Sequence, residues 1–306
     1  MFKTNKHISI FALLFLVPQA GLALTIPQNG SELAKLSGIA AAAYVVADAS
    51  SGEALIAKDA DVPRVPASLT KLVTALAVLD AKTKLTKQVA MTKQDQISGM
   101  CGQGGACIKS ASGVKFTVDG LFHAALIPSA NNAALALARS TGLPPEKFVE
   151  RMNQKAKSLG AKNTVFYEPT GLDPRNTTTA SDYAKIVAAA FKNPYLKKVA
   201  GKTQYYLRSS NNYRYRQTIK NTDKLLKDEE VRVFGAKTGY LDEAGYNFAS
   251  LIQYRGGQKL AIVVLGERHL YSAFEETKQL ASMAEDAKSL AWLNQASVLG
   301  ASTAHQ

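Results

Sequence analysis

The stretch Pro66-Ala-Ser68-Leu-Thr-Lys71-Leu-Val-Thr-Ala-Leu-Ala-Val-Leu-Asp80 contains the strongest structural signal of the chain. Apolar side chains in it recur at the i, i+3, i+4, i+7 spacing, which predicts a helix over 68–80 with one buried face. These side chains are Leu72, Ala75, Leu76 and Leu79. Ser68 and Lys71 would share a face of this helix because they are three residues apart. A serine hydroxyl needs a nearby base to act as a nucleophile, and a lysine amine can be that base.

Two further short motifs follow in order, Ser129-Ala-Asn131 and Lys237-Thr-Gly239. Each motif alone is a weak signal, since Ser112-Gly-Val-Lys115 also matches Ser-x-x-Lys and the polar run 209–212 also matches Ser-x-Asn. The run after Ser112 alternates apolar and polar residues with a period of two, which predicts a strand. In a strand, positions i and i+3 face opposite sides. We therefore predict that the serine nucleophile with its lysine base is Ser68, and not Ser112.

The ordered set Ser-x-x-Lys, Ser-x-Asn, Lys-Thr-Gly resembles the signature of the penicillin-recognising serine enzymes. Further segments resemble the D-alanyl-D-alanine carboxypeptidase and endopeptidase family, among the low-molecular-mass penicillin-binding proteins, over about residues 40–268. They are Gly160-Ala-Lys-Asn163, residues 166–173, Ser181-Asp182 and residues 237–245. Within the family, Ser68-Leu-Thr-Lys71 and the run Glu-Pro-Thr-Gly-Leu from Glu168 are similar to the shorter endopeptidase branch that includes penicillin-binding protein 7.

The resemblance implies an α/β fold of the β-lactamase and penicillin-binding transpeptidase type. Its antiparallel sheet, flanked by helices, would be formed from both chain ends, with an inserted all-α subdomain. The residue patterns agree: strands are predicted at 43–47 and 53–58 and again after residue 203, among them one at 214–219. Helices are predicted over 118–138, 145–158 and 180–191. We expect a domain over 24–299, with the sheet at about 24–65 and 203–299, the helical part at about 66–202, and the site in the cleft between them.

The resemblance also implies catalytic roles for three residues. Ser68 would be the nucleophile, Lys71 its base, and Ser129 a relay of the proton to the leaving amine. For Lys71 to accept a proton, its ammonium form must be disfavoured. Burial and the nearby charge of Lys237 would therefore lower the pKa of Lys71.

Substrate recognition is assigned by the same resemblance. Lys237 and Thr238 would hold the carboxylate beside the scissile bond, and Asn131 would bind a substrate amide. Gly239 would let the substrate backbone approach the strand. The backbone N–H groups of Ser68 and Tyr240 would hold the oxyanion. The neighbouring Asn132 is expected on the helix surface.

The first 23 residues are typical of a secretory signal. Lys3 and Lys6 precede an apolar run at 8–17, and small residues at 21–23 would permit cleavage, so the mature chain is expected to begin near Leu24 in the periplasm. An uncleaved anchor is the alternative. Cleavage leaves 35 cationic and 24 anionic side chains, a net charge of +11, which favours an anionic neighbour.

Basic and aromatic side chains interleave over 205–216, a pattern also found in nucleic-acid-binding proteins. Export argues against that partner, so we predict no nucleic acid. Peptidoglycan carboxylates and anionic membrane surfaces are nearer candidates, and a solvated basic face is the simpler interpretation. The last predicted helix, about 273–293, mixes acidic with basic residues, and 300–306 form a polar tail. We therefore expect at most loose membrane association, with neither a further β domain nor a cationic amphipathic tail.

The two cysteines, Cys101 and Cys107, are predicted to form a disulfide after export. The loop that they close is short, so the bond would fix the shape of a loop more than it would stabilise the fold. No histidine accompanies this pair, and His123 and His269 stand alone. We therefore predict no metal site and no cofactor.

The resemblance implies a serine DD-peptidase that forms a Ser68 acyl-enzyme with peptidoglycan stem peptides and is acylated by β-lactams. Endopeptidase action on D-alanyl-meso-diaminopimelate cross-links is favoured, with D-alanyl-D-alanine carboxypeptidase as the alternative. A β-lactamase is a distant alternative, because Leu172-Asp173 follows Glu168 at the wrong spacing for the Glu-x-x-Leu-Asn motif. An inactive cell-wall binding module is disfavoured by the intact Ser68, Lys71, Ser129 and Lys237.

Overall fold

The fold is taken from a computed structural model, which describes the backbone of residues 38–302 and the side chains of 38–286. The predicted signal at 1–23 and the last residues of the predicted polar tail, 303–306, lie outside the described residues. The subdomain limits given above stay predictions.

A five-stranded antiparallel sheet forms the centre of the structure, with strand order β2-β1-β9-β8-β7. The strands are β1 (Ala43–Asp48), β2 (Ala54–Lys58), β7 (Val231–Leu241), β8 (Gly245–Tyr254) and β9 (Lys259–Glu267). β1 pairs with β9, so that Tyr44 lies opposite Val264. The sheet is therefore built from both ends of the described chain, as the sequence predicted, and β7 is one of its two edge strands.

Both faces of this sheet are buried. Along β1, Val45 packs into the core shared with the helical part of the molecule, while Tyr44 and Val46 pack into a second core. Alternation of side chains along a strand produces this division. The second core is covered by helix α8 (Leu270–Ser302), through side chains such as Phe274. Among the described residues, no helix is both long and apolar enough to cross a membrane.

The segment between β2 and β7 contains most of the helices. They are α1 (Thr70–Asp80), α2 (Lys93–Ser98), α3 (Val118–Leu126), α4 (Asn131–Ser140), α5 (Pro145–Ser158), α6 (Ala180–Lys192) and α7 (Pro194–Ala200). Two small antiparallel sheets accompany them. One pairs β3 (Gln88–Ala90) with β4 (Lys115–Thr117), and the other pairs β5 (Gln204–Leu207) with β6 (Gln217–Lys220). Helix α6 contacts β1 and β9 and so joins the helical part to the sheet.

The single helix predicted over 118–138 is wrong, because α3 and α4 are separated by a break at 127–130. Pro128 has no backbone N–H to continue a helix. Ser129 follows with φ +65°, a left-handed conformation that is uncommon for a residue with a side chain. The break places Ser129 at the end of one helix and Asn131 at the start of the next.

Two smaller differences concern a short helix and the start of a strand. Helix α7 was not predicted, although Asn193-Pro194 is a helix-start signal: the Asn193 side chain accepts hydrogen bonds from the N–H groups of Tyr195 and Leu196. The predicted strand at 214–219 is shorter, since a 3₁₀ turn (Tyr213–Tyr215) precedes β6.

Candidate active site

The three motifs meet at one cavity of about 610 Å³. Its lining includes Ser68, Ser129, Asn131, Thr238, Gly239 and Tyr240. These six residues come from three places: the turn before α1, the break between α3 and α4 with the first residue of α4, and strand β7. Residues far apart in the sequence therefore present their polar groups to one space.

Ser68 and Lys71 face each other at the start of the first helix. Lys71 Nζ lies 2.6 Å from Ser68 Oγ and donates a hydrogen bond to the backbone oxygen of Thr170, also at 2.6 Å. Lys71 is fully buried. The amine is therefore fixed at hydrogen-bond distance from the hydroxyl, as a general base requires.

Burial also changes the proton affinity of this amine. It lowers the pKa of Lys71 to about 7, and the charge of Glu168 opposes part of that shift. Desolvation penalises the charged ammonium form. At neutral pH a substantial fraction of Lys71 is thus uncharged and able to accept a proton. The lowered pKa and its cause in burial agree with the prediction, whereas the charge of Lys237, which was also expected to lower the pKa of Lys71, is not among the causes.

Ser129 lies beside a second buried lysine. Lys237 Nζ donates hydrogen bonds to Ser129 Oγ at 2.8 Å and to the backbone oxygen of Thr238 at 2.7 Å. The pKa of Lys237 lies well below its usual range, because of burial first and the charge of Lys71 second, while Asp223 acts in the opposite direction. The site therefore has two Ser–Lys pairs.

Asp223 has a carboxylate whose charge acts on Lys237. It is buried, and its Oδ1 accepts a hydrogen bond from the N–H of Leu225 at 2.9 Å. Burial raises the pKa of Asp223 to about 7, against the effects of the Leu225 N–H and of Lys237. The preceding residue, Thr222, joins its hydroxyl to that of Thr238 at 2.7 Å and lines the cavity. No motif in the sequence indicated that either residue belongs to the site.

A loop centred on Glu168 holds the oxygen of Thr170 in position. One carboxylate oxygen of Glu168 accepts hydrogen bonds from the N–H and hydroxyl of Thr170, each at 2.6 Å. The other oxygen accepts from the N–H of Gly171 and from Asn176 Nδ2. Glu168 points into its own loop, so it positions Lys71 indirectly, through Thr170, while its charge acts on the pKa of Lys71 through space.

Two glycines let this loop and strand β7 approach the turn that bears Ser68. Gly171 has φ +88°, and a Cβ atom there would lie 1.9 Å from the backbone oxygen of Ala67. A Cβ atom on Gly239 would lie 2.9 Å from the backbone oxygen of Pro66. The contact with this turn thus requires a glycine at position 239. The close approach of the substrate backbone to Gly239 stays a prediction.

Cys101 and Cys107 form the predicted disulfide. The loop that they close lines the cavity with Met100 and residues 103–106. Asn131 joins both ends of that loop: its Nδ2 donates to the oxygen of Gly99 at 3.1 Å, and its N–H donates to the oxygen of Ala106 at 2.7 Å. Among the described residues, the buried Oδ1 of Asn131 has no hydrogen-bond partner, which leaves it available to a substrate N–H.

Asn132 is fully buried, and the prediction that it lies on the helix surface is wrong. Its Oδ1 accepts from the N–H of Ile108 at 3.1 Å, and its Nδ2 donates to the oxygen of Ile108 at 3.0 Å. The irregular segment after Cys107 covers this face of α4. Because that segment has no regular periodicity, its contact with Asn132 could not be read from the sequence.

Tyr240 lies at the rim of the cavity and is half exposed. The centre of its ring lies 4.4 Å from that of Tyr246, with the two rings tilted by 30°, and its hydroxyl donates to Asp242 Oδ1 at 2.6 Å. The hairpin between β7 and β8 therefore forms part of the cleft wall. Among the described side chains, no group of three or more His, Cys, Asp or Glu residues is arranged to hold a metal ion.

The competing Ser-x-x-Lys match does not join the cavity. Ser112 and Lys115 are exposed, and Lys115 begins strand β4. His123 is buried and stacks on Tyr205 with 3.8 Å between the ring centres. The position of Ser112 and Lys115 outside the cavity agrees with the choice of Ser68 from the sequence.

Comparison with known proteins places the chain in a family. The sequence model of the D-alanyl-D-alanine carboxypeptidase family matches residues 30–269. The D-alanyl-D-alanine endopeptidase of Haemophilus influenzae is 31% identical over 215 residues, which span 70% of this chain and 71% of that protein. The D-alanyl-D-alanine endopeptidase of Escherichia coli is 28% identical over 284 residues, which span 92% and 89%.

Solved structures show the same architecture. A DD-transpeptidase of Streptomyces superposes with a TM-score of 0.75 at 27% identity, covering 81% of this chain and 98% of that one. The D-alanyl-D-alanine carboxypeptidase of Mycobacterium tuberculosis gives a TM-score of 0.71 at 30% identity, covering 80% and 91%. The predicted fold and family are confirmed: the chain belongs to the D-alanyl-D-alanine carboxypeptidase family and is a serine DD-peptidase.

Proposed function

We propose that this enzyme is a DD-endopeptidase that cleaves D-alanyl-meso-diaminopimelate cross-links of peptidoglycan through an acyl-enzyme on Ser68. The observation that carries the proposal is the 2.6 Å contact between Lys71 Nζ and Ser68 Oγ, together with the lowered pKa of Lys71. A neutral amine at this distance can take the hydroxyl proton as the oxygen attacks.

Acylation would begin when Ser68 Oγ attacks the carbonyl carbon of the D-alanine before the scissile bond. The proton of the hydroxyl passes to Lys71 Nζ, and the carbonyl oxygen becomes an oxyanion. The N–H groups of Ser68 and Tyr240 are the proposed donors to that oxyanion. A donor of this kind contributes roughly 10²–10³ in rate.

Departure of the amine requires a proton. Ser129 Oγ faces the cavity and accepts a hydrogen bond from Lys237, so we assign the proton transfer to this hydroxyl. The C–N bond breaks, and the amine leaves with the proton from Ser129 while the acyl group stays on Ser68. The proton that Lys71 took from Ser68 then restores the Ser129 hydroxyl, so Lys71 is neutral again. Water attacks the ester and gives a proton to Lys71, which returns it to Ser68 Oγ as the acid is released.

Recognition would rest on the carboxylate next to the scissile amide. Lys237 is buried at the cavity wall, and Thr238 stands beside it with its hydroxyl joined to Thr222. A bound carboxylate would stabilise the ammonium form of Lys237. Terminal D-alanine and the D-centre of meso-diaminopimelate both present a carboxylate at this point, so one recognition site serves carboxypeptidase and endopeptidase reactions.

Endopeptidase action is favoured by two relatives that are named D-alanyl-D-alanine endopeptidases, those of Haemophilus influenzae and Escherichia coli, of whose own length the match covers 71% and 89%. Carboxypeptidases occur among the relatives as well, for example one from Bacillus subtilis at 31% identity. The alternative is therefore a D-alanyl-D-alanine carboxypeptidase with the same site. In either case a β-lactam would acylate Ser68, because its strained amide carries a carboxylate in the equivalent place.

The test is hydrolysis of two purified muropeptides, a cross-linked dimer and a monomeric pentapeptide, followed by mass analysis. We expect the dimer to be converted to monomers at least as fast as the pentapeptide loses D-alanine. The variant Ser68→Ala should lose both reactions and covalent labelling by fluorescent penicillin, whereas Ser112→Ala should behave as the wild type. Trimming of pentapeptide with an intact dimer would make the enzyme a carboxypeptidase. Undiminished labelling of Ser68→Ala would remove Ser68 as the nucleophile.

A further inference from the structure

The segment between Asp182 and Asp223 has an unusual charge pattern. Residues 183–222 contain nine lysines and arginines and not one aspartate or glutamate. Part of this segment is the antiparallel pair β5–β6 with its connecting turn, residues 204–220, which we call the basic hairpin. Its exposed cationic side chains are Arg208, Arg214, Arg216 and Lys220.

The cationic side chains of the basic hairpin have no acidic partner: among the described residues, none of its arginines or lysines forms a salt bridge. The guanidinium of Arg208 instead lies over the ring of Tyr206 at 5.1 Å. Tyr206 is 48% exposed and Tyr213 is 70% exposed. Exposed tyrosines among unpaired arginines are typical of the residues that contribute most to binding surfaces.

The basic hairpin is attached to the rim of the catalytic cleft. Strand β6 ends at Lys220, and Thr222, two residues later, lines the cavity. The Gln217 side chain bonds both the N–H and the oxygen of Lys109, which follows the disulfide loop by two residues. At ~3.3 Å per residue, Lys220 and Arg216 lie roughly 7 and 20 Å along the strand from the cleft. A polymer with its scissile bond in the cleft could therefore reach the basic hairpin.

We infer that the basic hairpin is a second binding surface for polymeric peptidoglycan, separate from the catalytic cleft. The arginines would bind carboxylates of neighbouring stem peptides, and the exposed rings of Tyr206 and Tyr213 would pack against sugar rings of the glycan strand. The identity of the polymer rests on the proposed function; the binding surface itself does not. It would raise the local concentration of cross-links at the cleft without touching the reacting atoms.

Two other polyanions fit this surface less well. A membrane-binding surface inserts large apolar side chains such as Trp, Phe or Leu between lipids, whereas the exposed positions from Arg208 to Tyr213 carry serine, asparagine and tyrosine. A nucleic acid could bind to the arginines and tyrosines. It is not a substrate of the cleft, however, so the attachment of the hairpin to the cleft near Thr222 would not strengthen its binding. Peptidoglycan can bind to the cationic side chains and to the cleft at the same time.

The test compares the wild type with the triple variant Arg208→Gln, Arg214→Gln, Arg216→Gln by sedimentation with purified sacculi. The matched control is Lys84→Gln, Lys157→Gln, Lys162→Gln, which removes three exposed charges elsewhere. To isolate binding from turnover, each protein also carries Ser68→Ala. We expect the arginine variant to bind sacculi about tenfold or more weakly with a smaller salt dependence, and the control to bind as the parent. With Ser68 intact, the arginine variant should react with penicillin at the parental rate.

Tyr213→Ala should weaken sacculus binding while leaving its salt dependence unchanged, because it removes a neutral ring. Equal sacculus binding by the parent and the arginine variant would overturn the inference. So would tighter arginine-dependent binding to a single-stranded oligonucleotide or to phosphatidylglycerol vesicles than to sacculi. Failure of the wild type to react with penicillin or muropeptides would refute the proposed function but not this surface, which the sedimentation assay measures without catalysis.

Discussion

Lys71 Nζ lies 2.6 Å from the backbone oxygen of Thr170, although 99 residues separate the two in the chain. This contact and the one to Ser68 leave the amine little freedom to move. The oxygen of Thr170 is itself fixed by the hydrogen bonds that Glu168 accepts from Thr170 and Gly171. The position of the base therefore depends on a carboxylate that does not touch the reacting atoms, and we assign Glu168 as a positioning residue.

Replacing that carboxylate tests this dependence. Glu168→Gln places an NH₂ group against backbone N–H donors, which should cost about 2 kcal/mol of unfolding free energy. It also removes the charge that raises the pKa of Lys71, so the pH profile of penicillin acylation should move to lower pH. Glu150→Gln, an exposed carboxylate paired with Lys147 on α5, is the control and should change neither quantity. A slower reaction with an unmoved pH profile would leave Glu168 only a structural role.

The two buried lysines should respond differently to arginine. Lys71→Arg should nearly abolish acylation, because a guanidinium cannot act as a base at neutral pH and its larger head does not fit between Ser68 and Thr170. Lys237→Arg keeps a cation for the carboxylate, so its loss should be smaller and should appear mainly in the affinity for substrate. Stopped-flow acylation rates over a range of penicillin concentrations separate the two effects. Equal losses in the maximal rate would show that the division of roles is wrong.

The pKa of Lys71 also sets the pH dependence of the first step. The base works as the neutral amine, so the rate should rise with pH as the ammonium loses its proton. With a pKa of about 7, roughly a tenth of the maximal rate is expected at pH 6, half at pH 7, and a plateau above about pH 8.5. An ordinary lysine pKa would place the rise near pH 10. A rate that is flat from pH 5 to 9 would rule out Lys71 as the base.

Loss of the disulfide should affect large substrates more than stability. The double variant Cys101→Ser, Cys107→Ser opens a short loop, so the cost should be about 2 kcal/mol, which shifts the melting temperature by a few degrees. The loop contacts Asn131 through the oxygens of Gly99 and Ala106, and it lines the cleft. Cleavage of cross-linked dimers should therefore fall more than penicillin acylation. An equal fall in both reactions would instead indicate a general disturbance of the site.

The close approach of Gly171 to the serine-bearing turn predicts a large effect of a single methyl group. In Gly171→Ala the new Cβ would lie 1.9 Å from the oxygen of Ala67, so we expect a loss of more than about 4 kcal/mol and little soluble protein. Gly160→Ala is the matched control: its φ of +79° is similar, but the nearest atom is 3.8 Å away. It should cost only about 1–2 kcal/mol of backbone strain. Soluble yield and chemical denaturation would compare the two.

The order of the motifs and the local patterns were enough to predict the fold and the meeting of Ser68, Lys71, Ser129 and Lys237. A helix signal such as the one at 68–80 comes from neighbours in the chain, so it can be read directly. The break at Ser129 was missed, although Pro128 was a usable signal for it.

Contacts between distant segments could not be predicted in the same way. Glu168 was considered only as part of family motifs, because nothing in the sequence shows that its carboxylate turns toward Thr170 and Gly171. Asn132 was expected at the surface because the segment that covers it is irregular. The charge of Asp223 behind Lys237 likewise depends on how a loop packs on β7. In each case the decisive partner is set by tertiary packing.

The pairing of β1 with β9 has a consequence for how the enzyme is made. Tyr44 has its partner at Val264, so the central sheet has high contact order and cannot close until more than 260 residues are available. Lys237 and Thr238 sit on the same sheet, two strands from β9. An incomplete chain that already contains Ser68 and Lys71 therefore lacks the wall that binds the carboxylate. Hydrolytic activity should appear only as the last step of folding, which keeps a partly synthesised peptidase harmless.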